Sequence, residues 1–436
     1  MALGDITSYV VNELLLITKT HSVDIRSIME ELNIYDNLFL PAMSGNVVLV
    51  DTMGLSQRLK FDGTEYLKVD IGKTEDDILF QKTFRIYKQG KRQNLNNTTE
   101  VYVLSFCSEE ILYSEQKKIN QAYEDTYSNV AHKIIIDHLK VSEENLSSGF
   151  HDESYGIRSF TLPNMKPIQA INWCAKRALD IYDAPSFLFF ENRDGFNLCS
   201  LYTLIEQDPI CTITFGVKDK GGDGTDFFGA RESRIIKNFD ASEMIKSGLM
   251  AGTFKGFDPV TRSYYNNAVN FATMYADRPH LNEYPFVAFL KNRDGNTQAE
   301  EVASKQSISV MDSNYESSSY AQAKDPYAQT DNPEMYEMQR QSIFYNLMSK
   351  RISVTMPGNF MFTSGRVVEL EYPSYSQKSD SESHIDEGNS GKYLITGVRH
   401  VFRFTMHETV IEVATDSTNS PPVINGSENQ SEAIYE

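Results

Sequence analysis

The chain has 436 residues, 40% hydrophobic and 23% charged, a balance that excludes a disordered polymer and predicts two to four domains. Its 60 Asp and Glu outweigh 41 Lys and Arg, and the net charge of −19 argues against clamping of nucleic-acid phosphates. Cys107, Cys174, Cys199 and Cys211 form no C-x-x-C pair, the start MALGDITSYVV lacks a basic segment, and no apolar run nears about 18 residues, so a reduced compartment without stable membrane insertion is expected.

From residue 10 to about 107 the pattern predicts strands: ELLLIT, VVLVDT at 47–52, YLKVDI at 66–71, KTFRIYK at 82–88 and VYVLSF at 101–106. Ser44-Gly45, Asp62-Gly63, Gln89-Gly90 and the polar run 93–99 supply the turns between them. Alternation at Phe84 and Ile86, and at Val101 and Val103, indicates an antiparallel sheet or barrel with one wet face. Residues 113–146 carry helical spacing at Val130, Ile134 and His138. A second helix opens at Pro167 and lines up Ile168, Ile171, Ala175, Ala178 and Leu179. FLFF and FNLCSL then form a hairpin around Asn192-Arg193-Asp194-Gly195.

The same tetrapeptide recurs at Asn292-Arg293-Asp294-Gly295. A calcium loop with its glycine in sixth place would need an oxygen ligand at Phe190 or Leu290, so neither copy reads as one. The first reads as a hairpin turn, and the second, between PFVAFLK and the polar NTQAEE, ends a strand without starting an equal partner. Duplication of this unit is less economical than local convergence. The Gly-rich GVKDKGGDGTDFFG reads as a loop, because GGDG at 221–224 carries Asp223, with Asp226 just after it, and both would repel phosphate. Gly72-Lys73-Thr74 lacks the earlier glycine of a phosphate-binding loop, with Leu67 in its place. Residues 300–333 predict an extended surface loop and 333–350 a helix with Met335, Met338, Ile343, Leu347 and Met348 on its stripe. RISVTM, RVVELEY, KYLITGV and TVIEVAT return to strand, interrupted by the polar 377–391, and an acidic tail begins at 416.

The residues offer no catalytic constellation. The histidines His21, His132, His138, His151, His280, His384, His400 and His407 are dispersed, with no H-E-x-x-H and no G-x-S-x-G. His132 and His138, six apart, do not share a helix face. The pairs Asp76-Asp77, Glu109-Glu110 and Glu300-Glu301 fall in turns and surface runs, so glycan hydrolysis by two carboxylates survives only as a competing reading. Trp173 reads as core. No catalytic, cofactor-binding or metal-ligating residue is expected, and no cofactor.

IYDNLFLPAMSGNVVLVDTMGLSQRLKFDGTEYLKVDIGK, residues 34–73, resembles the opening domain of the baseplate central hub proteins of contractile-tailed bacteriophages. SIFYNLMSKRISVTMPGNFMFTSGRVVELEYPS and GKYLITGVRHVFRFTMHETVIEVATDS are similar to that family's late segment, where a helix feeds a small β domain resembling the first. VYVLSFC at 101–107 and TVIEVAT at 409–415 take equivalent closing-strand positions.

The resemblance implies a β-rich α+β fold: two tail-tube-like antiparallel β-barrel domains with an α/β domain between them and long polar loops. The segments are 1–112 for the first β domain, 113–210 for the α/β domain, 211–300 for a central region with the Gly-rich loop, 301–415 for the polar loop, helix and second β domain, and 416–436 for the tail. It further implies a non-enzymatic hub in the virion, assembled in the host cytoplasm. Three chains would form a ring adapting a sixfold tube to a threefold spike and passing DNA. Its partners would be the homotrimer, the central spike, the tail tube or a tube adaptor, baseplate wedges and, as a further candidate, the tape-measure protein. A hub or spike base of a related injection or secretion machine is the alternative. The acidic surplus suits a lumen that does not hold DNA, and equally suits plain solubility.

Overall fold

Alternating apolar residues build the first β unit of the computed structural model, which describes residues 9–72, 79–96, 98–142, 146, 149–215, 227–238, 240–249, 251–258, 262–270, 274–275, 277–285, 305–310, 335–373, 385–386, 388–403 and 406–419. Its strands are β1 (Val10–Ile17), β2 (Ser22–Asp24), β3 (Met29–Asn37), β4 (Ser44–Asp51), β5 (Tyr66–Gly72), β6 (Phe80–Asn94) and β7 (Glu100–Cys107). They pair antiparallel in the order β2-β1-β5-β6-β7-β4-β3. Val47, Leu49, Leu67, Val69, Phe84, Ile86, Leu104 and Phe106 point into its core, each contributing roughly 1.5–3 kcal/mol by leaving water. The alternation in β7 is offset from the expectation: Tyr102, Leu104 and Phe106 are buried while Val101 and Val103 are half-buried on the other face. Gly45 has no side chain because a Cβ there would lie 2.3 Å from both the Asn33 carbonyl and the Phe106 ring.

The middle of the chain packs helices on two two-stranded antiparallel sheets. β8 (Ile119–Asp125) pairs with β9 (Arg158–Met165), so part of the helix expected over 113–146 is strand. The helical part is Glu109–Gln116 before it and Tyr127–Ile134 after it, the latter extended as a π turn to Leu139. Pro167–Arg177 is the expected helix and buries Ala170, Ile171, Cys174 and Ala175. The hairpin around Asn192 to Gly195 is present as β10 (Phe187–Asn192) and β11 (Gly195–Ser200), with Arg193 and Asp194 in the turn and Gly195 at φ +125°.

The second β unit draws β12 (Thr212–Phe215), β13 (Phe227–Ala230) and β14 (Glu232–Lys237) from ahead of the 301–415 stretch. A separate sheet holds β15 (Ala251–Asp258), β16 (Ser263–Asn270) and β18 (Lys305–Val310), so 305–310 is strand where a loop was expected. β17 (Tyr284–Pro285) pairs with β23 (Ser417–Thr418). The unit is completed by β19 (Lys350–Pro357), β20 (Val367–Glu371), β21 (Gly391–Arg403) and β22 (Met406–Thr415), after the helix Arg340–Leu347. Its order is β13-β12-β20-β21-β22-β19-β14.

That order repeats the first unit strand for strand in chain sequence, with only β12 running opposite to its counterpart β1. The repetition reaches single residues. A bulge at Tyr87, between Ile86 and Lys88 in β6, recurs at Thr396, between Ile395 and Gly397 in β21. In that register Phe84, Leu67, Val47 and Phe106 correspond to Tyr393, Val368, Val354 and Val413, all buried. The closing strands match as expected, shifted by one, with Cys107 answering to Ala414. No ring of hydrogen bonds closes either unit into a barrel among the described residues.

Candidate functional site

Because no residue pattern points to a reaction, the candidate site is where the two units meet. β3 lies antiparallel to β21 from Leu32 opposite Phe402 to Asn37 opposite Gly397, fusing the units into one sheet. Phe360 and Phe402 of the second unit enter the first unit's core, Phe360 stacking on Phe80 at 5.5 Å. On the outer face Glu31 accepts from Arg403 Nε at 2.6 Å and from Arg399 at 3.4 Å, while Arg399 Nε donates to Asn33 at 2.9 Å. Although burial works against it, hydrogen bonds from Asn33 and Arg403 and the charges of both arginines hold the Glu31 carboxyl below its usual range.

The hairpin turn pins this seam from the side. Glu191 accepts from the Met43 amide at 2.8 Å, from Ser108 Oγ at 2.6 Å and from Lys82, all in the first unit. One residue on, Asn192 donates to the Ser364 carbonyl at 2.9 Å, Arg193 donates to the Phe360 carbonyl at 2.6 Å, and Asp194 pairs with Arg366 at 2.7 Å, all in the second unit. Asp36 of β3, itself buried, accepts from Thr363 Oγ1 at 2.8 Å and from the Ser364 amide at 3.3 Å. Burial pushes its carboxyl up to about 7. Glu110 nearby is raised by burial and by the charge of Glu191.

Two histidine pairs that the sequence left dispersed are brought together. His400 and His407 sit 3.2 Å apart beside Phe360 and Phe402, and burial pushes His407 down to about 3 and His400 well below its usual value. His132 meets His151 rather than His138, at 2.8 Å, with His132 pushed down to about 4 by burial. The β21–β22 pairing brings His400 and His407 together, and the packing of two separate segments does so for His132 and His151, which no helical spacing encodes. Trp173, expected in the core, is half-buried at its margin: it packs on Phe160 and Tyr127, carries the Arg177 guanidinium over its face, and edges an open groove of about 1190 Å³ with Phe344, Tyr345 and Met348. No cluster of three or more metal-binding side chains occurs among the described residues. Glu109 accepts from Tyr66 Oη at 2.5 Å. Asp76-Asp77, Glu300-Glu301, Asn292 to Gly295 and GGDG lie outside the described residues. No helix among the described residues is long and apolar enough to cross a membrane.

Two solved structures are similar in fold to this chain over nearly its whole length. The tail protein from Neisseria meningitidis MC58 superposes with a TM-score of 0.52 over 94% of this chain and 97% of its own, at 12% identity. The 43 kDa tail protein of prophage MuSo2 from Shewanella oneidensis gives 0.53 over 93% and 99%, at 10% identity. The fold is therefore that of phage tail proteins, β-rich with a mixed α/β middle. No family model matches the sequence. By sequence the chain is similar to the probable baseplate hub protein gp334 of Vibrio phage KVP40, 20% identical over 430 residues that cover 95% of this chain and 96% of that protein. The similarity to a probable phage baseplate hub protein thus extends over almost the whole chain.

Proposed function

We propose that the protein is the trimeric central hub of a contractile-tail baseplate, a non-enzymatic adaptor between a sixfold tube and a threefold spike. The observation that carries this reading is the internal duplication: two units of the same strand order, fused side by side through β3 and β21. Three such chains present six similar units, the number a sixfold tube needs on one side, while the chain itself repeats three times toward a spike. The side chains at the seam support a structural role. Their carboxylates and guanidinium groups are engaged in holding units together, with Glu191, Asp36 and Asp194 each bonded across a junction. The surplus of acidic residues fits a lumen that lets DNA slide, because like charge lowers adhesion. Spike, tube and wedge proteins are the partners on this reading.

Mass measured by light scattering after size-exclusion chromatography tests it. A value near three times the 49.6 kDa chain is expected. A clean monomer, unchanged by addition of the spike, would contradict the ring.

A further inference from the structure

The seam inside the chain contains a template for a second one. β21 is bordered by β20 along Gly391–Leu370-facing positions up to Leu394, and from Gly397 to Phe402 the same edge is taken by β3. Its counterpart β6 is bordered by β5 from Phe80 to Arg85, but beyond Lys88 it pairs only with β7 among the described residues. The counterpart of β3 is β14, which pairs only with β19 among the described residues. Hydrogen-bonded neighbours run β14-β19-β22-β21-β3-β4-β7-β6, so the two unmade halves stand at opposite ends of one ribbon.

We propose that β14 of one copy pairs antiparallel with the Lys88–Asn94 half of β6 in the next copy, repeating the β3–β21 seam between chains. This deepens the ring reading and rests on it. Carrying the register over sets Lys237 opposite Gly90, as Tyr35 stands opposite Arg399, and Arg234 opposite Gln93, as Asn33 stands opposite Val401. Each new strand has one residue more than its model between those positions. Ile235 and Ile236 lie between Arg234 and Lys237, and Lys91 and Arg92 lie between Gly90 and Gln93. The insertions match, so the ladder stays in step across both bulges. Cations do not face cations at the two anchoring pairs, and Glu232 takes the place that Glu31 holds beside its arginines. Ile235 and Ile236 are 41% and 42% exposed and Tyr87 is 50% exposed, apolar surface on open strand edges that pairing with a second copy would cover.

Cysteine pairs on the full chain test this directly. Opposed residues in an antiparallel pair stand about 4.5–5.5 Å apart at Cα, within disulfide reach. Arg234→Cys with Gln93→Cys should, on oxidation, give covalent species up to three chains on a non-reducing gel, and each single variant should give none. Lys237→Cys with Gly90→Cys is a second pair, and Gly90 has room for a Cβ. Mass is read on the same reduced samples. Three chains by mass with neither pair cross-linking would overturn the edge assignment and leave the ring standing. One chain by mass with no cross-link would overturn both.

Discussion

Asp36 is the residue where pH should be felt first. Its carboxyl, ordinarily near 3.8, is pushed up to about 7 by burial, so the folded chain holds a proton that the unfolded chain has released. Stability from this group is therefore present in acid and lost as pH rises from about 4 through about 7, a span worth about 4 kcal/mol at most. His400 and His407 work in the opposite sense. They are kept neutral, and stability is lost as pH falls from 6.5 toward the value of about 3 at His407. Asp36→Asn isolates the carboxylate, since the amide oxygen still accepts from Thr363 and carries no charge. The variant should gain on the native chain as pH rises, with a thermal midpoint several degrees higher at pH 8 and little difference at pH 4. A gap that stays constant with pH, or favours the native chain at pH 8, would show that an ionised Asp36 belongs to the fold.

At the scale of elements, the hairpin strand β10 is held to the first unit by a buried charge. Glu191 is 2% exposed, and Lys82 on β6 is its one cationic partner among the described residues. Lys82→Met would strand that carboxylate, a change that costs about 3–5 kcal/mol when a buried pair loses one member. Adding Glu191→Gln should recover most of the loss, because Ser108 and the Met43 amide still find an acceptor. Urea midpoints of the two variants check this, and equal loss in both would mean that charge is not what matters there. Much at this scale was legible in the sequence. The strands at 47–52, 66–71, 82–88 and 101–106, the helix from Pro167 and the turn at Asn192 to Gly195 are all present, because each follows from local period or turn chemistry. Residues 119–125 misled because INQAYED has ambiguous spacing and its strand state is fixed by pairing with β9. β12 to β14 joined the second unit through partners more than a hundred residues away, which no local pattern encodes.

Across the whole molecule, the seam at β3 and β21 was not visible at all in the sequence. The two units share a strand order and a bulge but few identities, since buried positions ask for an apolar side chain of fitting volume and not for a particular one. The correspondence of Phe84 to Tyr393 and of Leu49 to Met356 shows how far residue identity can drift while both stay buried. What persists is the backbone pairing, and on the proposed ring reading an edge-to-edge fusion of duplicated units would let one chain face both sixfold and threefold neighbours. Electron cryomicroscopy of the purified chain viewed along the ring axis tests this most directly. Six similar lobes around an open centre, in three covalent pairs, are the predicted result. Isolated two-lobed particles at every concentration, or a ring whose lobes are not joined through strand edges, would contradict it.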